Sequence, residues 1–337
     1  MKPSSETSLL LIDGNNIGYA AMYQPALSRL SFRDFPTGGI LGLVQSILRL
    51  SSLFPDAVPV VLWDGHAAWR KVLCPEYKAT RKDTPEKEEI AEKWRVQAPH
   101  AQTLLLHMGV AQARAADAEA DDLAYRICRL ENEQRGKVTL VSADKDWWQA
   151  ISPDIDWFSP ITDKRVTLAD LLTDAVDDGP FRDTDEFILA KAIAGDKSDN
   201  IPGVSGVGVK TAVKLLVRHG SLEGIAAAVA SGVAKDKKAA DVAGSLDLIQ
   251  RNLRIMDWRL APVPQEVGMV REAFDASACG TFCEALGLHR LAERLDSSGE
   301  WSKRMSRLSM AGVLDWVDAA LFPRSGSSHE EKGQDNG

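Results

Sequence analysis

Three short apolar runs, each cut off by a segment carrying an aspartate, constrain this chain more than any other feature. Leu9-Leu10-Leu11-Ile12 stops at Asp13-Gly14, Val58-Pro59-Val60-Val61-Leu62-Trp63 stops at Asp64-Gly65, and Val138-Thr139-Leu140-Val141 stops at Ser142-Ala143-Asp144. Runs that are apolar throughout suit strands covered on both faces, as in parallel sheets. Helical patterns lie between them. Ile40 to Leu53 places Leu43, Ile47, Leu50 and then Phe54 three or four residues apart, and Asp121 to Glu133 does the same with Leu123, Ile127 and Leu130. Strand and helix in alternation predict an α/β domain with a parallel sheet. Ligands of such sheets bind beyond the carboxyl ends of the strands, so all three acidic segments are expected on one edge.

The rest of the chain is organised differently. Residues 75–99 begin as a basic, proline-broken run and continue as a strongly charged helix, Glu86 to Arg95, which reads as an exposed excursion from the sheet. From about Pro180 the pattern is helices and glycine turns, with no further strand expected. The expected division is an α/β core over 1–179, a helical region over 180–296, a C-terminal helix over 297–323 and a disordered tail over 324–337. Met310 to Leu321 reads as an amphipathic helix packing on the core through Val313, Leu314, Val317 and Leu321. Four cysteines do not make a disulfide framework. Cys279 and Cys283, with His289 beyond them, lack a second cysteine pair and read as buried or incidental thiols rather than a zinc site. Neither a signal peptide nor a membrane span is expected, which points to the cytoplasm of a bacterial or phage-infected cell.

The acids carry the chemistry. Besides Asp13 and Asp64 there are Glu119, Asp121 and Asp122 at a helix start, Asp144 and Asp146 after the third run, and Asp196 and Asp199 before a glycine turn. Each alone has an ordinary explanation, because acids cap helices and aspartate favours turns. Together they would repel one another at one sheet edge unless cations neutralise them. Oxygen-only donors and the scarcity of histidine and cysteine favour magnesium or manganese over zinc. Two such ions form a phosphodiester clamp. Nucleophile motifs are missing, and a haloacid-dehalogenase-type aspartyl nucleophile would want a second acid where Asn15 stands.

The turn Gly203-Val204-Ser205-Gly206-Val207-Gly208-Val209-Lys210-Thr211 fails as a P-loop, since its spacing is one residue too long and no strand precedes it. It reads better as a hairpin between helices whose amides can hold a phosphate. With these segments in place, the chain resembles the 5′-nucleases: flap endonucleases, phage 5′→3′ exonucleases and the 5′-nuclease domain of bacterial DNA polymerase I. The resemblance runs in order through Leu11-Ile12-Asp13-Gly14-Asn15-Asn16, Leu62-Trp63-Asp64-Gly65, Tyr77-Lys78-Ala79-Thr80-Arg81, Glu119-Ala120-Asp121-Asp122, Asp144-Lys145-Asp146 and Gly195-Asp196-Lys197-Ser198-Asp199-Asn200-Ile201-Pro202-Gly203-Val204.

The resemblance implies a parallel-sheet, PIN-like core with a helical arch and a helix-three-turn-helix at about 195–217. It implies that Asp13, Asp64, Glu119 and Asp121 surround one Mg2+ or Mn2+, with Asp122 in support, and that Asp144, Asp146, Asp196 and Asp199 serve a second. Tyr77, Lys78 and Arg81 would lie at the base of the arch, with Lys78 on the scissile phosphate and Arg70 or Lys71 assisting. Lys82, Lys210, Thr211 and the glycines Gly203, Gly206 and Gly208 would meet DNA, and the hairpin would coordinate K+ through main-chain carbonyls. Many relatives carry arginine where Ala20 follows Tyr19. The expected activity is that of a 5′→3′ exonuclease and 5′-flap endonuclease acting on DNA with 5′ ends, flaps or nicks, with a replication protein as a possible partner. Removal of RNA primers at RNA–DNA junctions is the alternative within enzymes, and a non-catalytic junction binder the alternative outside them. The net charge of −8 is no objection, because setting the nine acids aside leaves the chain within one charge of neutral.

Overall fold

The computed structural model describes residues 8–129, 136–173, 175–308 and 310–322. Residues 324–337, expected as a disordered tail, and the expected helix end at Leu130 to Glu133 lie outside the described residues. The central sheet contains β1 (Ser8–Asp13), β2 (Ala57–Trp63), β3 (Ala111–Ala115), β4 (Val138–Val141), β5 (Ile155–Ser159), β6 (Lys164–Val166) and β7 (Val267–Val270). Across the sheet the order is β7–β3–β2–β1–β4–β5–β6. The strands β1 to β5 are parallel, while β6 and β7 add antiparallel edges. The three apolar runs are therefore the central strands, paired with Asp13 opposite Leu62 and Ile12 opposite Val141. This register levels their acidic ends.

Helices α1 (Gly14–Met22), α2 (Gly38–Leu53) and α3 (Pro85–His107) cover one face, around Leu10, Ile12, Val61, Ile40, Leu43 and Trp94. Helix α4 (Ala120–Arg129) covers the other, where Leu9, Leu11, Val60, Leu62, Leu123 and Ile127 meet. That second core continues without interruption into α5 (Thr184–Ala194), α6 (Val209–His219) and α7 (Leu246–Met256). Further helices follow, among them α8 (Ala276–Ala285), α9 (Glu300–Arg307) and α10 (Met310–Leu321). As expected, α10 packs on the core through Val313, Leu314, Val317 and Leu321, lying against α4.

Two expectations are corrected. The chain after Pro180 does supply a strand, since β7 pairs with β3 from Val267↔Ala115 to Val270↔Gln112. The segment Glu86 to Arg95 is not a free excursion either. It belongs to α3, started by Thr84 accepting from Lys87 N and by Pro85 in the first turn. Its face of Ile90, Ala91, Trp94 and Gln97 is buried. Gln97 Oε1 accepts from Gly39 N and Ile40 N, at 2.7 and 3.3 Å, and so caps the start of α2. The true excursion is the shorter stretch between Cys74 and Thr84. Cys279 and Cys283 lie fully buried in the core, with thiols pushed up to about 12 mainly by burial, whereas His289 is exposed. They are packing residues.

Arg304 fastens the C-terminal helices to the sheet. The residue is 7% exposed, and its guanidinium donates to the carbonyls of Ser51, Phe54, Pro55 and Ala57, at the end of α2 and the start of β2. Charge at a helix C-terminus is favoured by the macrodipole, and the cage satisfies carbonyls that α2 leaves open. Arg304→Met should therefore cost about 2–3 kcal/mol, the penalty of stranding buried acceptors. Urea unfolding measures it, and a loss below about 0.5 kcal/mol would show the cage to be dispensable.

Candidate metal centre

A cavity of about 900 Å³ opens at the carboxyl edge of the sheet, and Asp13, Asp64, Asp121 and Asp144 line it. Each is held by a neutral donor. Asp13 accepts from Asn16 N and Ser142 Oγ, both at 3.0 Å. Asp64 accepts from Ala120 N at 2.9 Å and Asn15 Nδ2 at 3.0 Å. Asp121 accepts from Trp147 Nε1 at 3.0 Å, and Asp144 from Asp146 N at 2.8 Å. Burial, and then the charge of Asp64, push Asp13 up to about 7. Asp121 and Asp144 are also raised, by burial first; at Asp121 the charges of Asp144 and Asp13 come next.

The other five acids are paired with cations. Asp122 takes both Arg70 terminal nitrogens, at 2.9 and 2.7 Å. Glu119 takes Lys78 Nζ at 2.6 Å and Tyr77 Oη at 2.9 Å, with Arg70 at 3.4 Å. Burial pushes Glu119 up, yet Lys78 and Arg70 outweigh it and hold the carboxyl below its usual range. Asp199 receives Arg81 at 2.6 Å. Asp146 and Asp196 share Lys191 Nζ, which lies 3.0 Å from Asp196. Burial raises Asp146 to about 7 against the pull of Lys191, while Asp196 is held at about 2 because Lys191 and Ser198 overcome its burial. Sequence reasoning missed Lys191. The available signal was a lone lysine inside the apolar helix Phe187 to Ala194, five residues before Asp196.

The excursion is stitched to the acid loop. Lys78 adopts φ 58° and its N–H donates to Asp199 O at 2.9 Å; Thr80 N and Oγ1 both donate to Asn200 Oδ1. This brings Lys78, Thr80 and Arg81 to the cavity wall, with Lys87, Ile90 and Ala91 beyond them, Tyr19 from α1 and Tyr23 just after it. Four expected site residues are placed otherwise. Tyr77, expected to meet DNA, is 5% exposed, donates to Glu119 and does not line the cavity. Arg70 is 2% exposed and spent on Asp122, Glu119 and the carbonyl of Ile255, so it positions acids and does not reach the cavity. Lys71 is exposed on the helix Ala68–Leu73 and does not line the cavity. Gly203 packs against the carbonyl of Ala194 inside the fold. The side chain of Lys82 lies outside the description.

The glycine turn joins α5 to α6. Buried Asn252 anchors it, donating to the carbonyls of Ala192 and Pro202, each at 2.9 Å. Gly206 needs its φ of 71°, and open space surrounds the Cβ positions of Gly206 and Gly208. Lys210 is exposed and Thr211 half-buried at the start of α6.

This combination of parallel sheet, carboxylate edge and glycine hairpin defines a class of phosphodiester-hydrolase fold, and comparison with known proteins makes the class specific. Residues 8–175 match the family model described as the 5′-3′ exonuclease N-terminal resolvase-like domain, and residues 183–265 match that of its C-terminal SAM fold. The chain belongs to the 5′-3′ exonuclease family. It is 30% identical over 300 residues to DNA polymerase I of Streptococcus pneumoniae, covering 86% of this chain and 33% of that one. The chain thus spans about a third of the polymerase it matches. It is 29% identical over 220 residues to a 5′-3′ exonuclease of Aquifex aeolicus, covering 65% and 72%. In fold it is similar to the bacteriophage T5 5′-exonuclease, solved with divalent zinc ions, at a TM-score of 0.62 and 24% identity over 89% of this chain and 98% of that one.

The donor set fits hard divalent cations. All the acids on the cavity offer oxygen, neither histidine nor cysteine lines it, and the neutral donors that hold them add no positive charge of their own. Among the described residues no three His, Cys, Asp or Glu side chains stand close enough together to hold a metal ion as they are placed. A pH dependence follows. The folded protein holds a proton at Asp13 that the unfolded chain releases between about pH 4 and pH 7, so stability contributed there is lost as pH rises through that window. Cations bind the charged form, so Mg2+ should raise Tm more at about pH 8 than at about pH 5. Equal rises in a thermal scan would show that these acids are not what the cation neutralises.

Proposed function

We propose that the chain is a divalent-metal-dependent, structure-specific 5′→3′ exonuclease and 5′-flap endonuclease acting on DNA. The observation that carries this reading is the set of four uncompensated carboxylates on one cavity, walled by Lys78 and Arg81. Asp13, Asp64, Asp121 and Asp144 would hold Mg2+ or Mn2+, with Glu119, Asp146, Asp196 and Asp199 available behind their lysine and arginine partners. When bound, a pair of such ions activates water and takes up charge on the leaving oxygen.

The chain's own groups do the rest. Lys78, held between Glu119 and Asp199, stays protonated, because those acids outweigh the burial that would lower its pKa. It is placed to balance charge on the transferred phosphoryl group. Arg81, half-exposed on Asp199, offers a bidentate donor to a neighbouring phosphate. The exposed amides of Gly206 and Gly208, with Lys210 and Thr211, would grip the duplex backbone, and carbonyls of the same turn would hold K+. Such contacts select structure rather than base sequence. The α/β core over 1–179 would carry the chemistry and the helical region over 180–296 the duplex. A replication polymerase or single-strand-binding protein is the kind of partner the polymerase relative suggests, and the cytoplasm the compartment.

Asp13→Asn should reduce cleavage of a 5′-flap DNA in Mg2+ by at least about 10³-fold, comparable to losing a full catalytic contact. A gel time course with both ends labelled reads rate, polarity and flap-versus-end choice together, and matched RNA flaps test sugar preference. Undiminished cleavage by that variant would refute the assignment. Lys78→Ala should slow single-turnover cleavage by about 10²–10³-fold while leaving the Kd for flap DNA within about threefold, a difference of roughly 0.7 kcal/mol. A weakened Kd with an unchanged rate would make Lys78 a binding residue only.

A further inference from the structure

We infer that Trp147 is a positioning residue of the metal centre, its indole N–H orienting the Asp121 carboxylate without cancelling its charge. The inference rests on reading the acid cluster as a divalent-cation site. Trp147 is fully buried, and among the described residues its Nε1–H is the one donor to Asp121, at 3.0 Å from Oδ1. The other three cavity acids take backbone amides, an asparagine amide or a serine hydroxyl. Asp121 depends on a single side chain from another element. That element is the 3-10 turn Lys145–Ala150, which follows Asp144 and carries Asp146. One hydrogen bond thus ties the acid at the head of α4 to the turn that presents two more.

The indole is itself clamped. Trp258 packs on it edge-to-face, with centroids 5.8 Å apart and planes at 87°, and Trp258 in turn meets Tyr125 at 6.2 Å. Trp258 N donates to Gln149 Oε1 at 2.9 Å, and Gln149 Nε2 donates to the carbonyls of Asp146 and Met256. The chain leaving α7 therefore holds the ring that holds Asp121. A neutral donor suits the task. It takes one lone pair and fixes the carboxylate plane while adding no positive charge that a cation would have to displace. An ammonium in its place would compete with that cation, as Lys191 does at Asp146 and Asp196. Groups that orient metal ligands in this way are worth about 10–100-fold in metal affinity.

Trp147→Phe keeps the ring against Trp258 and removes only the donor. Calorimetric titration of the full chain with Mg2+ alone should show about 10-fold weaker binding for Trp147→Phe. Asp121→Asn should weaken it at least as much, and the double variant no more than Asp121→Asn alone. Wild-type affinity in Trp147→Phe would overturn the inference. Wild-type affinity in Asp121→Asn would instead overturn the metal reading beneath it. A second measurement needs no tryptophan variant. With the tryptophans labelled with ¹⁵N, one of the nine indole signals should move between metal-free wild type and Asp121→Asn, and the same signal should move when Mg2+ is added to wild type. An indole spectrum unchanged by both would overturn the proposal.

Discussion

Repulsion among carboxylates at the carboxyl edge of a parallel sheet is the constraint on which the rest of this structure depends. Register brings Asp13 level with the ends of β2 and β4, and a low-dielectric surrounding makes each charge costly to its neighbours. The fold answers with two kinds of partner. Buried or half-buried cations meet five of the acids, and neutral donors meet the four that line the cavity. Negative charge is thereby concentrated where it is open to an added cation. Elsewhere it is cancelled. On the proposed reading, bulk acidity and affinity for a polyanion are compatible, because part of the negative charge would be met by cations while Lys78, Arg81 and Lys210 would face phosphate.

The central strands and their acidic ends were legible in the sequence because a doubly covered strand writes its burial as an unbroken apolar run. The outer strands were not. β3 reads Ala-Gln-Ala-Arg-Ala, whose alanines have weak strand preference and owe their conformation to pairing with β2. β7 is four residues long and half exposed, and only its partner on β3, more than 150 residues earlier in the chain, identifies it. Helix α3 was legible as a helix, but its buried face and its length were not: its exposed face is so charged that the buried stripe of Ile90, Ala91, Trp94 and Gln97 is diluted in any average, and Pro99 argues for an end that tertiary packing overrides.

At the site, residue type announced the acids but not their partners. Nine carboxylates in family order could be read directly, whereas their division into paired and unpaired sets depends on Arg70, Lys78, Arg81 and Lys191, whose targets lie up to 118 residues away. Arg70 illustrates the limit. Its neighbourhood in sequence suggests a phosphate ligand, but its 2% exposure and its three acceptors make it a brace. Trp147 is the converse, an apolar-looking residue whose one polar atom meets the acid cluster.

The two halves of the acid array are consequently unequal. At Asp146 and Asp196 an ammonium already supplies one positive charge within hydrogen-bonding reach of both carboxylates, so an added divalent ion there meets a weakened field and a competitor. At Asp13, Asp64, Asp121 and Asp144 no such charge intervenes in their hydrogen bonds, and burial first, with neighbouring carboxylates adding to it, raises Asp13, Asp121 and Asp144, a cost that a cation would relieve. On the proposed reading, the interaction that destabilises the metal-free edge would be the source of its affinity for a cation. Replacing these amides, the hydroxyl and the indole with lysines would quiet the edge and, on the proposed reading, weaken its hold on a cation.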